Sequence, residues 1–365
     1  MQRNLIAGLG LALAAGGASA QSSVTIYGIV DAALEHVTNV GASGKGQTRM
    51  ASLTGSVPSR LGYRGSEDLG GGLRALYTLE MGFSPDSGGL NQGGRVFGRQ
   101  SFVGLAGPWG SVTLGRQYTM LFWSTLEADV LGPNIHGLAA FDSYIPNVRA
   151  DNSIAYRGTF GGFTAGATYS LGRDTVNAGP SPSGTNCAGE SATDKKACRE
   201  WSALLKYDTP AWGAALAVDE IRGGPGAFAG LTNSALKDTR VAVNGYAKLG
   251  AFKMGAGLLR RDNDASVATP RSDLWYLGAS YPVSPQLVVD GQLSRQKYKG
   301  SANAATLAVV RATYSLSKRT AVYASAGRMN NDGALALSVS GGQAGSNPTA
   351  GGSQTGLAMG IRHSF

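Results

Sequence analysis

Residues 73 to 83, LRALYTLEMGF, place Leu73, Ala75, Tyr77, Leu79, Met81 and Phe83 on one parity and Arg74, Thr78 and Glu80 on the other. An extended strand of this sequence has one apolar and one charged face. Similar alternation recurs in sixteen segments, beginning with SSVTIYGIVDAALEH and SRLGYRGS and ending with TAVYASAGRM and TGLAMGIRHSF. The connections between them alternate in length. Tight turns rich in Gly, Pro, Asp and Ser (EDLGGG, GPWG, Gly161-Gly162, TPAWG, Gly250-Ala251, SPQ, SKR) are interleaved with longer polar stretches near 38–58, 84–96, 119–150, 173–200, 222–238, 262–270, 299–304 and 333–353. This is an up-and-down meander with every tight turn at one end. A sixteen-stranded sheet with open edges exposes unpaired backbone groups, and closure into a barrel removes them.

Composition decides which face is wet. Charged residues are only 15% of the chain, too few for the polar exterior of a soluble β protein, and no linker divides it into domains. No stretch after Ala20 approaches the ~18–20 apolar residues of a membrane-spanning helix. The expected fold is therefore all-β, a 16-stranded antiparallel transmembrane barrel over residues 21–365. Leu73, Tyr77, Leu79 and Phe83 should face outward, and Arg74 and Glu80 the lumen. Residues 1–20, MQRNLIAGLGLALAAGGASA, combine a basic start, an apolar stretch and an Ala-Ser-Ala ending, the pattern of a cleaved secretory signal peptide.

Without the leader's Arg3, the formal net charge falls from +9 to +8. That excess suits anionic solutes or lipid head groups, and export makes nucleic acid the least suitable partner. Cys187 and Cys198 are the only cysteines; in an exported chain they point to a disulfide closing a polar loop, two free thiols being the alternative.

Several of these segments, SSVTIYGIVDAAL, SRLGYRGSEDLGGGLRALYTLE, FGRQSFVGLAGPWGSVTLGRQY and GLAMGIRHSF, resemble the general diffusion porins of Gram-negative bacteria, especially the β-proteobacterial type. The likeness spans essentially the whole mature chain. It implies a homotrimer in the outer membrane, in contact with lipid and lipopolysaccharide, passing small ions and hydrophilic solutes without a cofactor. It also implies that Phe365 belongs to the signal read by the outer-membrane assembly machinery. The third external loop, here residues 119 to 150, would fold into the lumen as a constriction, carrying Glu127, Asp129 and Asp142.

Parity places candidate pore charges. Leu61 and Tyr63 outward put Arg60 and Arg64 inside; Phe102 taken as outward puts Arg99 and Ser101 inside; Ile154 and Tyr156 outward put Arg157 and Arg149 on the wall or rim. By resemblance, Arg60, Arg99 and Arg149 match the basic wall of the porins, Glu127 the facing acid of the loop, and Asp129 a looser match. Where many relatives carry a Lys on the first strand this chain has Ile29, followed by a pore-facing Asp31 of the same parity. Opposed charges across a narrow, low-dielectric slot orient solutes and sort ions by sign. Arg116 shares the outward parity of Val112 and Leu114, where a lipid-exposed charge costs ~2–4 kcal/mol at mid-depth, so a subunit contact is expected to cover it.

The expected activity is passive diffusion with an anion preference. A channel selective for a dicarboxylate or phosphate is the alternative, and a purely structural or adhesive role a third. Catalysis is not expected, because none of His36, His136 and His363 has a specific nucleophile, carboxylate or metal-ligand spacing.

Overall fold

A computed structural model describes residues 23–174, 184–227 and 230–365; the expected leader lies outside the described residues. The strands are β1 (Ser23–Val40), β2 (Lys45–Met50), β3 (Arg60–Gly70), β4 (Leu73–Gly82), β5 (Gln100–Gly107), β6 (Gly110–Tyr118), β7 (Arg149–Phe160), β8 (Phe163–Ser170) and β9 (Glu200–Asp208). They continue as β10 (Trp212–Arg222), β11 (Lys237–Leu249), β12 (Phe252–Asn263), β13 (Arg271–Pro282), β14 (Leu287–Tyr298), β15 (Ala304–Ser315), β16 (Thr320–Asp332) and β17 (Ser353–Ser364).

Each strand pairs antiparallel with its neighbours, and β17 returns to β1 in a register running from Ile29↔Ser364 to Val37↔Gly356. Both β2 and β3 lie along the other edge of β1, β2 against Leu34 to Val40 and β3 against Ser23 to Ile29. They form one interrupted stave, so the closed barrel has sixteen staves. The 38–58 connection was expected to be loop. KGQTRM lacks an apolar face, but it is almost wholly exposed, and a strand standing clear of the bilayer needs none.

The alternation is the inverse of a soluble protein's. On β8, Phe163, Ala165, Ala167 and Tyr169 are exposed while Thr164, Gly166, Thr168 and Ser170 are buried. Exposed aliphatic side chains cover the exterior, Val103, Leu216, Val243, Leu277, Val310 and Leu357 among them, while Ser202, Asn244, Gln292 and Gln296 are buried inside. Aromatic rings mark the borders of this band. Phe163 pairs with Tyr207 and Tyr169 with Trp201 on adjacent staves. Six residues separate the two levels, about 20 Å along a strand, which is the arrangement of interfacial girdles. The short turns close at one end; at the β7–β8 turn Gly161 (φ +55) and Gly162 (φ +92) adopt the left-handed conformations that a two-residue hairpin requires. Short turns of this kind face the periplasm in outer-membrane barrels, and the long loops face outward.

At the chain's end, the Phe365 N–H and C=O both pair with Gly28 at 3.1 Å, tying the last residue to β1. Cys187 and Cys198 form a disulfide, buried beside Ala197 and Ala227. Closing so short a loop is worth about 3 kcal/mol in local order. Reduction is therefore expected to speed tryptic cleavage at the exposed Lys195 and Lys196 while leaving conductance unchanged, which digestion with and without reductant will test.

Candidate functional site

The connection from Thr119 to Val148 carries a short helix, α1 (Met120–Thr125), whose Met120 and Leu121 are buried. Its start is held by side chains of the inward parity: the Thr119 hydroxyl donates to Asp219 at 2.7 Å, the Ser202 hydroxyl accepts from the Met120 N–H at 2.9 Å, and the Asn244 amide donates to Ser124 at 3.0 Å. Farther along, Arg311 on β15 donates to the carbonyl of Leu131 at 2.9 Å. The Ile135 N–H donates to the Gly55 carbonyl at 2.7 Å, and His136 Nδ1 lies 3.0 Å from the Ser325 hydroxyl on β16. The segment thus touches inward-facing groups of staves far apart around the barrel.

Beside its start lies a ladder of guanidinium and aromatic groups. Arg64 stands over the Tyr27 ring (5.2 Å), and the Tyr27 hydroxyl donates to Glu80 at 2.9 Å. Glu80 also accepts from Arg99 Nε at 2.7 Å and has Arg60 Nε at 3.8 Å. The Tyr118 hydroxyl then accepts from Arg99 at 2.8 Å and from Arg149 at 2.7 Å, with the Arg149 guanidinium 4.4 Å from the Tyr118 ring centre. Tyr118 stacks on Phe122 (3.9 Å), and Arg157 covers Trp123 at 3.6 Å. Arg60, Arg99 and Arg149 therefore converge on one carboxylate and one phenol, with Arg64 and Arg157 at the two ends.

Three expectations about the wall are corrected. Arg74, although of inward parity, sits opposite Asp68 beside the β3–β4 turn and is exposed, outside the ladder. Asp31 does not face open lumen: it is 1% exposed, because it accepts from the N–H groups of Ser56 and Val57 and from the hydroxyls of Ser56 and Tyr323. Residues 51–59, leaving the sheet between β2 and β3, cap it. On β5 the phase is reversed, with Val103 (59% exposed) and Leu105 outward and Phe102 inward. Ser101 is thus an outward position. Arg99 still reaches Glu80, because it lies in a bend before β5 begins.

Arg116 is corrected too. The β6–β7 register shifts between Gly115 and Gln117, at a bulge where Gly115 takes φ +128. Arg116 is consequently 9% exposed and donates to the Gly98 carbonyl (2.6 Å) and to Asp151 (2.7 Å). Its own chain covers it, and no subunit contact is needed.

The acids of the segment do not face the arginine ladder. Glu127 pairs with Lys253 on β12 at 2.7 Å. Asp142 pairs with Arg240 on β11 at 2.8 Å and has Arg261 at 4.0 Å. Burial alone would raise the Asp142 carboxyl, but Arg240 and Arg261 hold it below the usual carboxylate range. Asp129 has Oδ1 enclosed without a donor, and burial pushes its carboxyl up to about 6. The Tyr144 hydroxyl lies 2.5 Å from Glu200 and 2.9 Å from Asp219, with Arg173 and Arg240 on its ring. Tyr118, Arg240, Arg261 and Lys253 were missed. The outward Val241 and Val243 of TRVAVNGYAKL would have placed Arg240 and Asn244 inside by the same parity.

A family model described as Gram-negative porin matches residues 7–334. The chain is 34% identical to outer membrane porin protein 32 of Delftia acidovorans over the full length of both. It is 29% identical to an outer membrane porin protein of Bordetella pertussis, over 79% of this chain and 74% of that one. Among solved structures, one described as an anion-selective porin from Comamonas acidovorans superposes with a TM-score of 0.75 at 27% identity, covering 94% of this chain and all of that one. With a closed sixteen-stave barrel, an apolar exterior and a charged interior, the chain belongs to the Gram-negative porins, diffusion channels of the outer membrane.

Proposed function

We propose that the segment from Thr119 to Val148 crosses the lumen as the constriction of this porin, and that the channel prefers anions. The observation that carries the preference is the imbalance at the ladder. Arg60 and Arg99 flank a single carboxylate, Glu80, and Arg149 joins them only through the Tyr118 hydroxyl, while the segment's acids are matched elsewhere, Glu127 by Lys253 and Asp142 by Arg240 and Arg261. The description of the Comamonas structure as anion-selective supports the same reading.

Arg99 and Arg149 are 5% and 2% exposed, so they act on a passing ion through their field rather than by contact. Such a field is strong where the walls have low dielectric. This arrangement favours a general diffusion pore over one with a row of exposed binding groups for a dicarboxylate or phosphate. In keeping with the sequence, the working unit is proposed to be a homotrimer of chains spanning 21–365, exported by the leader 1–20, with Phe365 read during assembly. In planar bilayers under a KCl gradient, the reversal potential is expected on the chloride side of zero. A value at zero or on the potassium side would sink the anion preference.

A further inference from the structure

The Phe102 ring on β5 turns into the lumen, where a water-filled barrel ordinarily carries polar groups. Two residues nearer the GPWG turn, one row of inward positions crosses β4 to β7 as Leu76, Gly104, Thr113 and Ala155. Only Leu76 is large in that row, so the wall is hollow beside the Phe102 ring. The hollow is a cavity of about 150 Å³, bounded toward the crossing segment by Trp123 and at its lower end by Arg157. An apolar protein cavity of about this volume takes a single benzene ring.

Arg157 supplies the polar end. Its guanidinium lies 3.6 Å from the centre of the Trp123 ring, so the indole covers one face and leaves the N–H edges open. Trp123 is itself held edge-on against Phe122 (5.3 Å) and Tyr118 (6.3 Å). Among the described residues, Arg157 has no carboxylate at ion-pair distance and no acceptor for its side-chain N–H groups, and it is only half-buried. Arg99 and Arg149 of the ladder have theirs, in Glu80 and Tyr118. The Thr113 hydroxyl is also used, donating to Gln117, so the floor between Phe102 and Arg157 asks for no polar partner.

We propose that this hollow is a subsite for a monocarboxylate carrying one aromatic ring, with the carboxylate on the open edge of Arg157 and the ring against Phe102 and Leu76. The planar guanidinium fork matches a carboxylate, and an aromatic ring gains both burial and ring–ring contact beside Phe102. Chloride or a small aliphatic carboxylate uses the cation alone. A dicarboxylate would leave its second charge against Phe102 and Leu76 with no partner, which is costly. The inference rests on the reading of the lumen as a path for anions, and adds one place on its wall where a class of them is retained.

The test is block of chloride current through the full-length channel in planar bilayers at neutral pH by sodium benzoate, sodium acetate and benzamide. Benzoate is expected to halve the current at a concentration about five-fold or more below that of acetate, and below that of benzamide by a similar factor. Equal potency of benzoate and acetate would remove the role of the ring, and equal potency of benzoate and benzamide that of the cation; either overturns the proposal. Phe102→Ser should bring benzoate to the level of acetate, and Arg157→Gln should bring it to the level of benzamide. A variant that keeps the wild-type ratios puts the block elsewhere in the lumen and overturns the assignment. Should a variant not fold, the comparison of the three solutes on the wild type still decides. The KCl reversal potential of the same channels separates this subsite from the ion preference of the pore. A potential at zero with benzoate still favoured over acetate sinks the anion preference alone, and a potential on the chloride side without that advantage sinks the subsite alone.

Discussion

Replacing Arg60 and Arg149 together by serine is expected to abolish the anion preference and bring the reversal potential in a KCl gradient to zero or onto the potassium side. The double variant leaves Arg99 facing Glu80 at 2.7 Å, one cation for one anion where there were three. An ion about 6 Å from a unit charge feels roughly 0.7 kcal/mol at the dielectric of water and about 3 kcal/mol at an effective value of 20. Even at the weaker end, losing two positive charges changes anion partitioning about ten-fold and cation partitioning about as much in the opposite sense. The measurement belongs at low ionic strength, because 1 M salt shrinks the screening length to about 3 Å. Arg99 is kept deliberately: Glu80 is 4% exposed, and stripping its bonded partner would leave a buried charge uncompensated at a cost of ~3–5 kcal/mol. Arg74→Ser is the control. It removes an inward-parity arginine outside the ladder, beside the β3–β4 turn, and should shift the reversal potential far less than the double variant. An unchanged potential in the double variant would show that the ladder is not the source of selectivity.

Period-two alternation proved a faithful guide where strands cross the bilayer without irregularity. On β8 and β16 every second residue is buried or exposed in turn, because lipid on one side and water on the other impose the pattern on each position. It misled at the departures from regular pairing. At the β6–β7 bulge two residues of β7, Asp151 and Asn152, stand against Arg116, which keeps the side of its register partner Ser101 and is covered by Asp151 and the Gly98 carbonyl; the bend before β5 brings Arg99 to Glu80 out of step with Phe102. Strand β2 escaped notice because it stands clear of lipid and needs no apolar face. The partners of the acids were illegible for a different reason. Asp142 and Arg240 are 98 positions apart and Glu127 and Lys253 are 126; only the path of the segment brings them together, and parity along one strand carries no information about what arrives from another. The arginine ladder was the readable part, since Arg60, Arg64, Arg99, Arg149 and Arg157 lie on or just before the alternate strands β3, β5 and β7 of one consecutive run of the sheet.

The Arg240→Met substitution is expected to loosen the segment near Asp142 and raise both the open-channel current and its fluctuations. The Arg240 side chain is wholly buried, 2.8 Å from Asp142 and 3.1 Å from Asp238, with its guanidinium 4.4 Å from the Tyr144 ring centre. Without it Asp142 keeps only Arg261 at 4.0 Å, whereas Asp238 retains Arg261 at 2.8 Å. The uncompensated charge therefore falls on the segment rather than on the wall, at a cost of ~3–5 kcal/mol. Contacts elsewhere, Thr119 with Asp219 and Arg311 with Leu131, still hold the rest of the segment. Because the backbone ladder of β11 is untouched, thermal unfolding of the barrel should change little. Acid should mimic the substitution. The Asp142 carboxyl is held below its ordinary value near 3.9, so its contribution is fully present above that value and is lost as pH falls through the lowered one. Wild-type channels in strong acid should grow noisy, and Arg240→Met channels, already noisy at neutral pH, should change less. Adding Asp142→Asn to Arg240→Met removes the orphaned charge while keeping an acceptor for the Tyr144 N–H, 3.0 Å away, and should restore a quieter channel. Single-channel recordings of the three proteins decide the matter; Arg240→Met currents indistinguishable from wild type would mean that this ion pair does not hold the segment in place.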